Sequence, residues 1–140
     1  MFVYEYKGVR VRYADTDQMG YVYYGNYGRF YEIGRVEALR SLGMSYREME
    51  DSGIMMPVYD NYSRYLQPAR YDDELSIKVT IPALPMARIV FEYEIRNQEG
   101  TLLNTGKTTL LFLSRTTNRP TRAPKEMIER LQGFYEPKID

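Results

Sequence analysis

The chain has 140 residues, of which 44% are hydrophobic and 27% charged, as expected for one globular domain spanning residues 1–140. It has no cysteine and no histidine, which excludes disulfides, thiol nucleophiles, thiolate or imidazole metal sites and Ser-His-Asp triads. Lys and Arg together number 19, as do Asp and Glu, and this zero net charge argues against nucleic-acid binding.

The first twenty residues predict a strand and a turn. Residues 9–13 alternate apolar and polar side chains, as a short strand does, and residues 14–20 are rich in turn formers. Glu5 and Lys7 interrupt the apolar residues of the N-terminus, so we do not expect it to be a signal peptide. Since no apolar stretch reaches the roughly 18 residues of a membrane span, we expect a cytoplasmic protein without membrane insertion.

One long helix is predicted next, with Asn26 as its N-cap and Gly43 just beyond its C-terminus. Gly28 and Gly34 each cost about 1 kcal/mol of helix propensity, which a backbone packed closely against the helix would justify. Arg35 and the other charged residues fall mostly off the apolar face, which consists of Tyr27, Phe30, Tyr31, Gly34, Ala38 and Leu42.

The remainder of the chain predicts mostly β-structure, in an α+β arrangement with segregated elements. A single helix covers one face of such a sheet, so the other face should be polar or covered by a partner chain. The predicted elements are a helical turn at 45–51, strands at 58–66, 75–81, 89–95 and 102–113, a hairpin turn at 97–100, and a short helix opened by Pro124.

Residues 13–27 carry the densest set of chemically useful groups. Asp15 and Asp17 precede a turn that leads into the start of the predicted helix. The first N–H groups of a helix have no internal partner and favour negative charge, so they could stabilise an oxyanion beside a carboxylate base or nucleophile. The same spacing also fits two turn residues whose side chains bond nearby N–H groups. A calcium loop is not supported, because Met19 and Asn26 would stand at ligand positions.

The segment from Tyr13 to Arg35 resembles the N-terminal signature of the 4-hydroxybenzoyl-CoA thioesterase-like acyl-CoA thioesterases, which have the hot-dog fold. The resemblance extends in order along nearly the whole chain. The matching segments are Asp15-Thr-Asp17, Gly20, Tyr23-Tyr-Gly-Asn-Tyr27, Phe30-Tyr-Glu-Ile-Gly-Arg35, Pro68 to Leu75 and Arg119 to Lys125. It implies an antiparallel sheet wrapped around one long helix.

The resemblance also implies roles for individual residues. Asp17 corresponds to the catalytic carboxylate, and the backbone N–H of Tyr24, with that of Gly25, to the donor that polarises the thioester carbonyl. Substrate contacts are expected at the signature positions Gly20, Gly25, Asn26 and Tyr27 and, for the nucleotide of CoA, at Arg88, although a surface arginine at a strand end is an equally good reading. Asp15 and Glu32 are expected to support the turn and the helix surface.

The implied reaction is hydrolysis of an acyl-CoA, with no metal and no cofactor besides the CoA of the substrate. The resemblance further implies that two subunits join their sheets edge to edge, with the site at that interface, and form a dimer or tetramer. One branch of the family has His where this chain has Tyr24. A thiol has a pKa near 8.5, so CoA leaves as a thiolate without a strong acid, whereas hydratases of this fold need a His.

Two alternative functions stay open on the sequence. The first is hydrolysis of an acyl-carrier-protein thioester, for which a loose basic cluster would dock an acidic carrier. The second is acyl-CoA binding or assembly without turnover. The cluster consists of Arg115, Arg119, Arg122 and Lys125, which also fit a solvated segment. Met19, Met55 and Met56 would line a compliant pocket or fill the core.

Overall fold

A five-stranded antiparallel sheet packs against one long helix in the computed structural model, which describes residues 1–135. The helices are α1 (Tyr27–Ser41), α2 (Tyr46–Asp51) and α3 (Lys125–Leu131). The strands are β1 (Phe2–Arg10), β2 (Ile54–Met55), β3 (Val58–Tyr65), β4 (Glu74–Ile81), β5 (Arg88–Arg96), β6 (Leu102–Leu111) and β7 (Leu113–Ser114). Among these residues no helix combines the length and apolar character needed to cross a membrane.

The strand order is β1-β4-β5-β6-β3, so β1 and β3 are the two edges of the sheet. Alternate side chains of β4 and β5 are buried, and they form the floor on which α1 lies. These floor residues are Leu75, Ile77, Val79, Ile81, Ile89, Phe91, Tyr93 and Ile95. The arrangement agrees with the expected sheet wrapped around one helix.

The other face of the sheet is polar and charged. Lys78 of β4 lies 3.6 Å from Glu94 of β5, and Lys107 of β6 stands opposite Glu92 in the register. A broad depression of about 660 Å³ on this face is lined by Tyr62, Arg64 and these charged residues. Polar side chains keep this face compatible with water, which is one of the two alternatives that the sequence left open for it.

Helix α1 buries nearly all of the predicted face, and Gly43 follows it with a φ of 80°, as expected of a C-terminal stop. Arg35 departs from the prediction, because it is buried rather than solvent-facing. Its guanidinium donates to the hydroxyl of Tyr46 at 3.1 Å and to that of Tyr93 at 3.5 Å. Periodicity missed this burial because Arg35 adjoins Gly34 on the face toward the sheet, where two tyrosine hydroxyls accept hydrogen bonds from its guanidinium.

A second polar contact fixes Tyr31 to the sheet. Its ring stacks on Tyr93 with 4.2 Å between centroids, and its hydroxyl bonds Ser63 at 2.7 Å and the amide oxygen of Asn104. Burial raises the pKa of Tyr31 to about 12, so the hydroxyl stays protonated and can donate. A Cβ at Gly106 would overlap the Tyr31 ring, which explains a glycine inside β6.

Two predicted strands differ from the observed ones. The first lies at Phe2–Arg10 rather than at 9–13, because residues Tyr13–Asp15 form a short 3-10 turn. Gly8, with a φ of 88°, lies within the irregularity in the pairing of β1 with β4. The last predicted strand is interrupted at Phe112, after which β7 pairs with β2. Short apolar alternation marks a strand without fixing its ends.

The two glycines of α1 should respond in opposite ways to alanine. A Cβ at Gly34 would lie 2.8 Å from Ile77 and 2.9 Å from Val79, both buried, whereas nothing lies within 4 Å of a Cβ at Gly28. We predict that Gly34→Ala lowers the free energy of unfolding by about 1–3 kcal/mol, because it overpacks the core. Gly28→Ala should leave it unchanged or raise it by up to about 1 kcal/mol. Urea unfolding measures both, and equal values would contradict close packing at Gly34.

Candidate active site

Asp17 opens a tight turn that reverses the chain between residues 16 and 22. Its carboxylate Oδ1 accepts hydrogen bonds from the N–H of Met19 at 2.9 Å and of Tyr21 at 3.3 Å. Its own N–H donates to the carbonyl of Tyr21 at 2.8 Å, and Gly20 turns the chain with a φ of 79°. Oδ2 of Asp17 accepts no hydrogen bond from residues 1–135. Asp17 therefore acts as a turn residue through one oxygen and keeps the other available.

Asp15 ties this turn to the start of α1. Its buried carboxylate accepts the N–H of Arg12 at 2.8 Å and forms an ion pair with Arg29 on the first turn of the helix. Its carbonyl accepts the N–H of Tyr23 at 2.9 Å and the side-chain amide of Asn26 at 2.8 Å. The expected supporting role of Asp15 corresponds to these four contacts.

Asn26 occupies the predicted N-cap position of α1, but its side chain does not cap the helix. A 3-10 turn, Tyr24–Asn26, leads directly into α1, so the Asn26 backbone is already helical and its amide reaches the Asp15 carbonyl instead. The N–H groups of Tyr23 and Asn26 have acceptors, whereas those of Tyr24 and Gly25 bond to nothing within residues 1–135. Two donors therefore remain unpaired at the positive end of a helix.

Asp17 and Tyr24 line the same cavity of about 300 Å³. Its wall is aromatic, because the ring of Tyr65, at the end of β3, lies 5.3 Å from that of Tyr27 and 6.4 Å from that of Tyr24. Burial raises the pKa of Tyr27, so its hydroxyl stays neutral at physiological pH. The other lining residues are Met19, Tyr21, Val22, Leu66, Gln67 and Pro68. We call this the tyrosine cavity.

Asp17 also lines a second opening. It measures about 630 Å³ and is lined by Tyr13, Thr16, Asp17, Gln18, Gly20 and Tyr71. Asp17 is the one residue common to the linings of this groove and the tyrosine cavity. The sequence did not single out Tyr65 or Tyr71 as site residues, because only the fold brings these distant tyrosines to Asp17, whereas Tyr13 begins the segment 13–27 that the sequence marked.

The remaining predicted residues lie in different places. Gly25 and Asn26 belong to the 3-10 turn beside the cavity, but Arg88 begins β5, where it lies 5.6 Å from the centre of the Tyr59 ring. Arg88 lines neither opening beside Asp17. Met19 lines the tyrosine cavity and Met56 a small pocket beside α2. Among residues 1–135, no three acidic side chains cluster closely enough to hold a metal ion.

Known proteins match this chain over most of its length. The sequence profile of the thioesterase-like superfamily matches residues 11–131. The acyl-CoA thioester hydrolase YbgC of Escherichia coli is 34% identical over 120 residues, 86% of this chain and 90% of that protein. The 1,4-dihydroxy-2-naphthoyl-CoA hydrolase of Thermosynechococcus vestitus is 32% identical over 91 residues, 64% of this chain and 62% of that one.

The fold agrees with these sequence relatives. The structure of a DHNA-CoA thioesterase from Staphylococcus aureus superimposes with a TM-score of 0.87 at 32% identity, over 96% of this chain and 93% of that one. The chain therefore belongs to the thioesterase-like superfamily and has the hot-dog fold. The predicted family, fold and thioesterase class are confirmed.

The Asp15–Arg29 pair should contribute more to stability than the less buried Glu37–Arg40 pair within α1. The Asp15 side chain is 10% exposed and that of Arg29 51%, whereas Glu37 and Arg40 are 24% and 64% exposed. We predict that Asp15→Asn lowers the free energy of unfolding by about 1–3 kcal/mol, since it weakens a buried hydrogen-bonded charge. Glu37→Gln should cost less than about 0.5 kcal/mol.

Double-mutant cycles measured by urea unfolding compare the two pairs. Combining Asp15→Asn with Arg29→Gln should be clearly non-additive, and combining Glu37→Gln with Arg40→Gln nearly additive. If the coupling energies of the Asp15–Arg29 and Glu37–Arg40 pairs were equal, the Asp15 ion pair would not be what stabilises the turn.

Proposed function

We propose that this protein hydrolyses an acyl-CoA thioester to the free acid and CoA, with Asp17 as the general base and the N–H of Tyr24 as the oxyanion donor. The observation that carries the proposal is that a carboxylate oxygen and an N–H group, both without partners in residues 1–135, border one cavity at a helix start. The E. coli relative is named an acyl-CoA thioester hydrolase, which supports the same reaction.

The reaction needs one water molecule, which has access because Asp17 is only partly buried and borders two openings. Oδ2 of Asp17 takes a proton from the water while the oxygen adds to the thioester carbonyl carbon. The carbonyl oxygen gains negative charge and accepts hydrogen bonds from Tyr24 N–H and Gly25 N–H. As the carbon–sulfur bond breaks, the electron pair goes to sulfur and the free acid forms. The proton held by Asp17 passes to solvent or to the thiolate.

The absence of histidine fits this reaction. A thiolate is stable enough to leave without a strong acid beside it, because an ordinary thiol has a pKa near 8.5. Hydrolysis of a thioester therefore needs a base and an oxyanion donor but no imidazole. Tyr24 contributes through its backbone, so its side chain, which is 64% exposed, is free to wall the cavity.

We predict that Asp17→Asn lowers kcat for acyl-CoA hydrolysis by about 10²–10⁴-fold. The amide oxygen of Asn can still accept the N–H bonds of Met19 and Tyr21, so the turn and Tm should be retained. Thiol release from a panel of aliphatic and aromatic acyl-CoA substrates measures the effect. The control is Asp51→Asn, an exposed aspartate at the end of α2, which should keep full activity.

Three outcomes would contradict parts of this proposal. Full activity of Asp17→Asn would remove Asp17 as the base. Transfer of ¹⁸O from labelled water into the Asp17 carboxylate during one turnover would make Asp17 the nucleophile. No turnover by the wild type would favour an acyl-carrier-protein substrate, docked at the exposed Arg115, Arg119, Arg122 and Lys125, or acyl-CoA binding without turnover.

We further propose that two copies of the chain pair along β3. This strand has one bonded neighbour, β6, and its other edge is open within residues 1–135. Val58, Tyr59, Tyr65 and Leu66 are large apolar residues exposed along or just after it, and Tyr65 walls the tyrosine cavity. An open edge with exposed apolar side chains favours pairing with another strand.

Sedimentation velocity at micromolar concentration should accordingly give a species of two or four 16.6 kDa chains. Tyr59→Lys should weaken the assembly, because a lysine on an edge strand opposes pairing with another strand. A monomer at these concentrations would contradict pairing and would leave the tyrosine cavity open on the β3 side.

A further inference from the structure

Asp60, on the edge strand β3, carries a buried side-chain oxygen without a partner. Its Oδ1 is shielded from water but accepts no hydrogen bond from residues 1–135. Among the buried side-chain nitrogens and oxygens of that part of the chain, it is the one left unpaired. A carboxylate oxygen withdrawn from water without a hydrogen bond is costly. A cation that reaches Asp60 from outside the chain would therefore stabilise the protein.

Arg64 lies on the same strand and also lacks a partner of opposite charge. β3 pairs regularly with β6 from Asp60 to Tyr65, so Asp60, Tyr62 and Arg64 lie on one face, the polar face of the sheet. The Arg64 side chain is exposed and forms no ion pair with a carboxylate of residues 1–135. Four residues of extended strand separate Asp60 from Arg64 by about 13 Å, so the two cannot bond within one chain.

The neighbouring cations of the same chain do not neutralise Asp60. Lys107 of β6 stands one pair away from Asp60 in the register, but it forms no ion pair within residues 1–135. The guanidinium of Arg88 lies 5.6 Å from the centre of the Tyr59 ring. Asp60 and Arg64 are therefore both available to another chain.

A second copy of β3 in antiparallel pairing brings the two charges together. About a two-fold axis, residues equally distant from the axis stand opposite each other. With the axis at Tyr62, Asp60 of each copy stands opposite Arg64 of the other, on the same face and with Cα atoms about 4.5–5.5 Å apart. An axis at Asp60 or Arg64 opposes like charges, and an axis at Asn61 or Ser63 places Tyr62 opposite one of the charges. Among these registers, only the one centred on Tyr62 pairs both charges.

The other edge of the sheet, β1, is less suited to such pairing. Its pairing with β4 is irregular near Gly8, which has a φ of 88°. Glu5 and Lys7 are exposed along it. Irregular backbone and charged side chains are features that oppose the addition of another strand to an edge.

We propose that two copies pair along β3 in the register centred on Tyr62, in which each Asp60 forms an ion pair with Arg64 of the other copy. The inference rests on the pairing along β3 proposed above, and it adds the register and the charges that select it. The partner is thus a second copy of this chain, chosen because its β3 edge carries the complementary charges in reverse order.

The same register brings the second copy to the candidate site. Tyr59 of the partner subunit stands opposite Tyr65, and aromatic residues opposite each other favour strand pairing. Tyr65 walls the tyrosine cavity. In the pair, this side of the cavity therefore faces the second copy, and neither copy encloses the cavity alone.

Cysteine cross-linking tests the register directly, because the chain has no cysteine of its own. Directly opposite residues of an antiparallel pair are close enough for a disulfide, whereas a shift of two residues separates them by roughly 7–8 Å. Under mild oxidation Tyr62→Cys should give a disulfide-linked dimer, while Asn61→Cys and Ser63→Cys should not. Val3→Cys, on the other edge strand and 47% exposed, is the control for random collision.

Charge reversal gives a second readout that needs no disulfide. Asp60→Arg and Arg64→Asp each oppose like charges in their own dimers, so each should raise the dimer Kd by about tenfold or more. In a mixture of the two variants, every such contact of the mixed dimer joins an arginine to an aspartate. The mixed dimer should therefore form with a Kd within about threefold of the wild-type value. Glu92→Arg, an equal charge change on the same face but away from the edge, is the matched control.

Sedimentation velocity over a dilution series measures the Kd values, and native mass spectrometry separates the mixed dimer from the others by mass. A wild-type dimer whose Tyr62→Cys variant stays unlinked, or a link through Asn61→Cys or Ser63→Cys instead, would overturn the register. Mixed variants that associate no better than each variant alone would overturn it too. A monomeric wild type would overturn both the pairing and the register. Neither readout uses a substrate, so both results are independent of whether Asp17 hydrolyses an acyl-CoA.

Discussion

The buried carboxylate of Asp15 is the constraint on which the candidate site depends. A buried charge requires partners, and Asp15 finds them in the N–H of Arg12 and the guanidinium of Arg29. Its carbonyl completes the connection through Tyr23 and Asn26. These contacts join the segment that follows β1, the Asp17 turn and the start of α1, so Asp17 and the free N–H groups keep a fixed relation to each other.

The second requirement is close approach of α1 to the sheet. Gly34 lets the helix rest on Ile77 and Val79, and Gly106 makes room for the Tyr31 ring. Tyrosine has two roles between the helix and the sheet. Its ring fills space in the core, and its hydroxyl accepts a hydrogen bond from a buried polar group such as the Arg35 guanidinium. Some of the fifteen tyrosines thus pack α1 against the sheet, and others line the candidate site, which has no histidine.

Asp17 shows that a turn residue and a proposed catalytic residue need not be alternatives. Oδ1 accepts hydrogen bonds from the N–H groups of Met19 and Tyr21, which hold the carboxylate in place. Oδ2 accepts no hydrogen bond from residues 1–135. A base that is positioned by its own turn needs no separate orienting residue. This arrangement suits a chain without histidine, in which a carboxylate and backbone N–H groups are the proposed catalytic groups.

The sequence by itself determined the element types, the long helix with its stop at Gly43, and the segment in which Asp17 and Tyr24 stand, because periodicity, turn residues and a local signature are short-range information. Family resemblance extended this to the hot-dog fold, which the comparisons confirm. The sequence did not predict the position of the first strand, the break at Phe112 or the burial of Arg35, since each depends on partners far along the chain. Only the tertiary structure brought Tyr65 and Tyr71 to the two openings that Asp17 lines, because strand pairing and packing bring together residues that are about fifty positions apart.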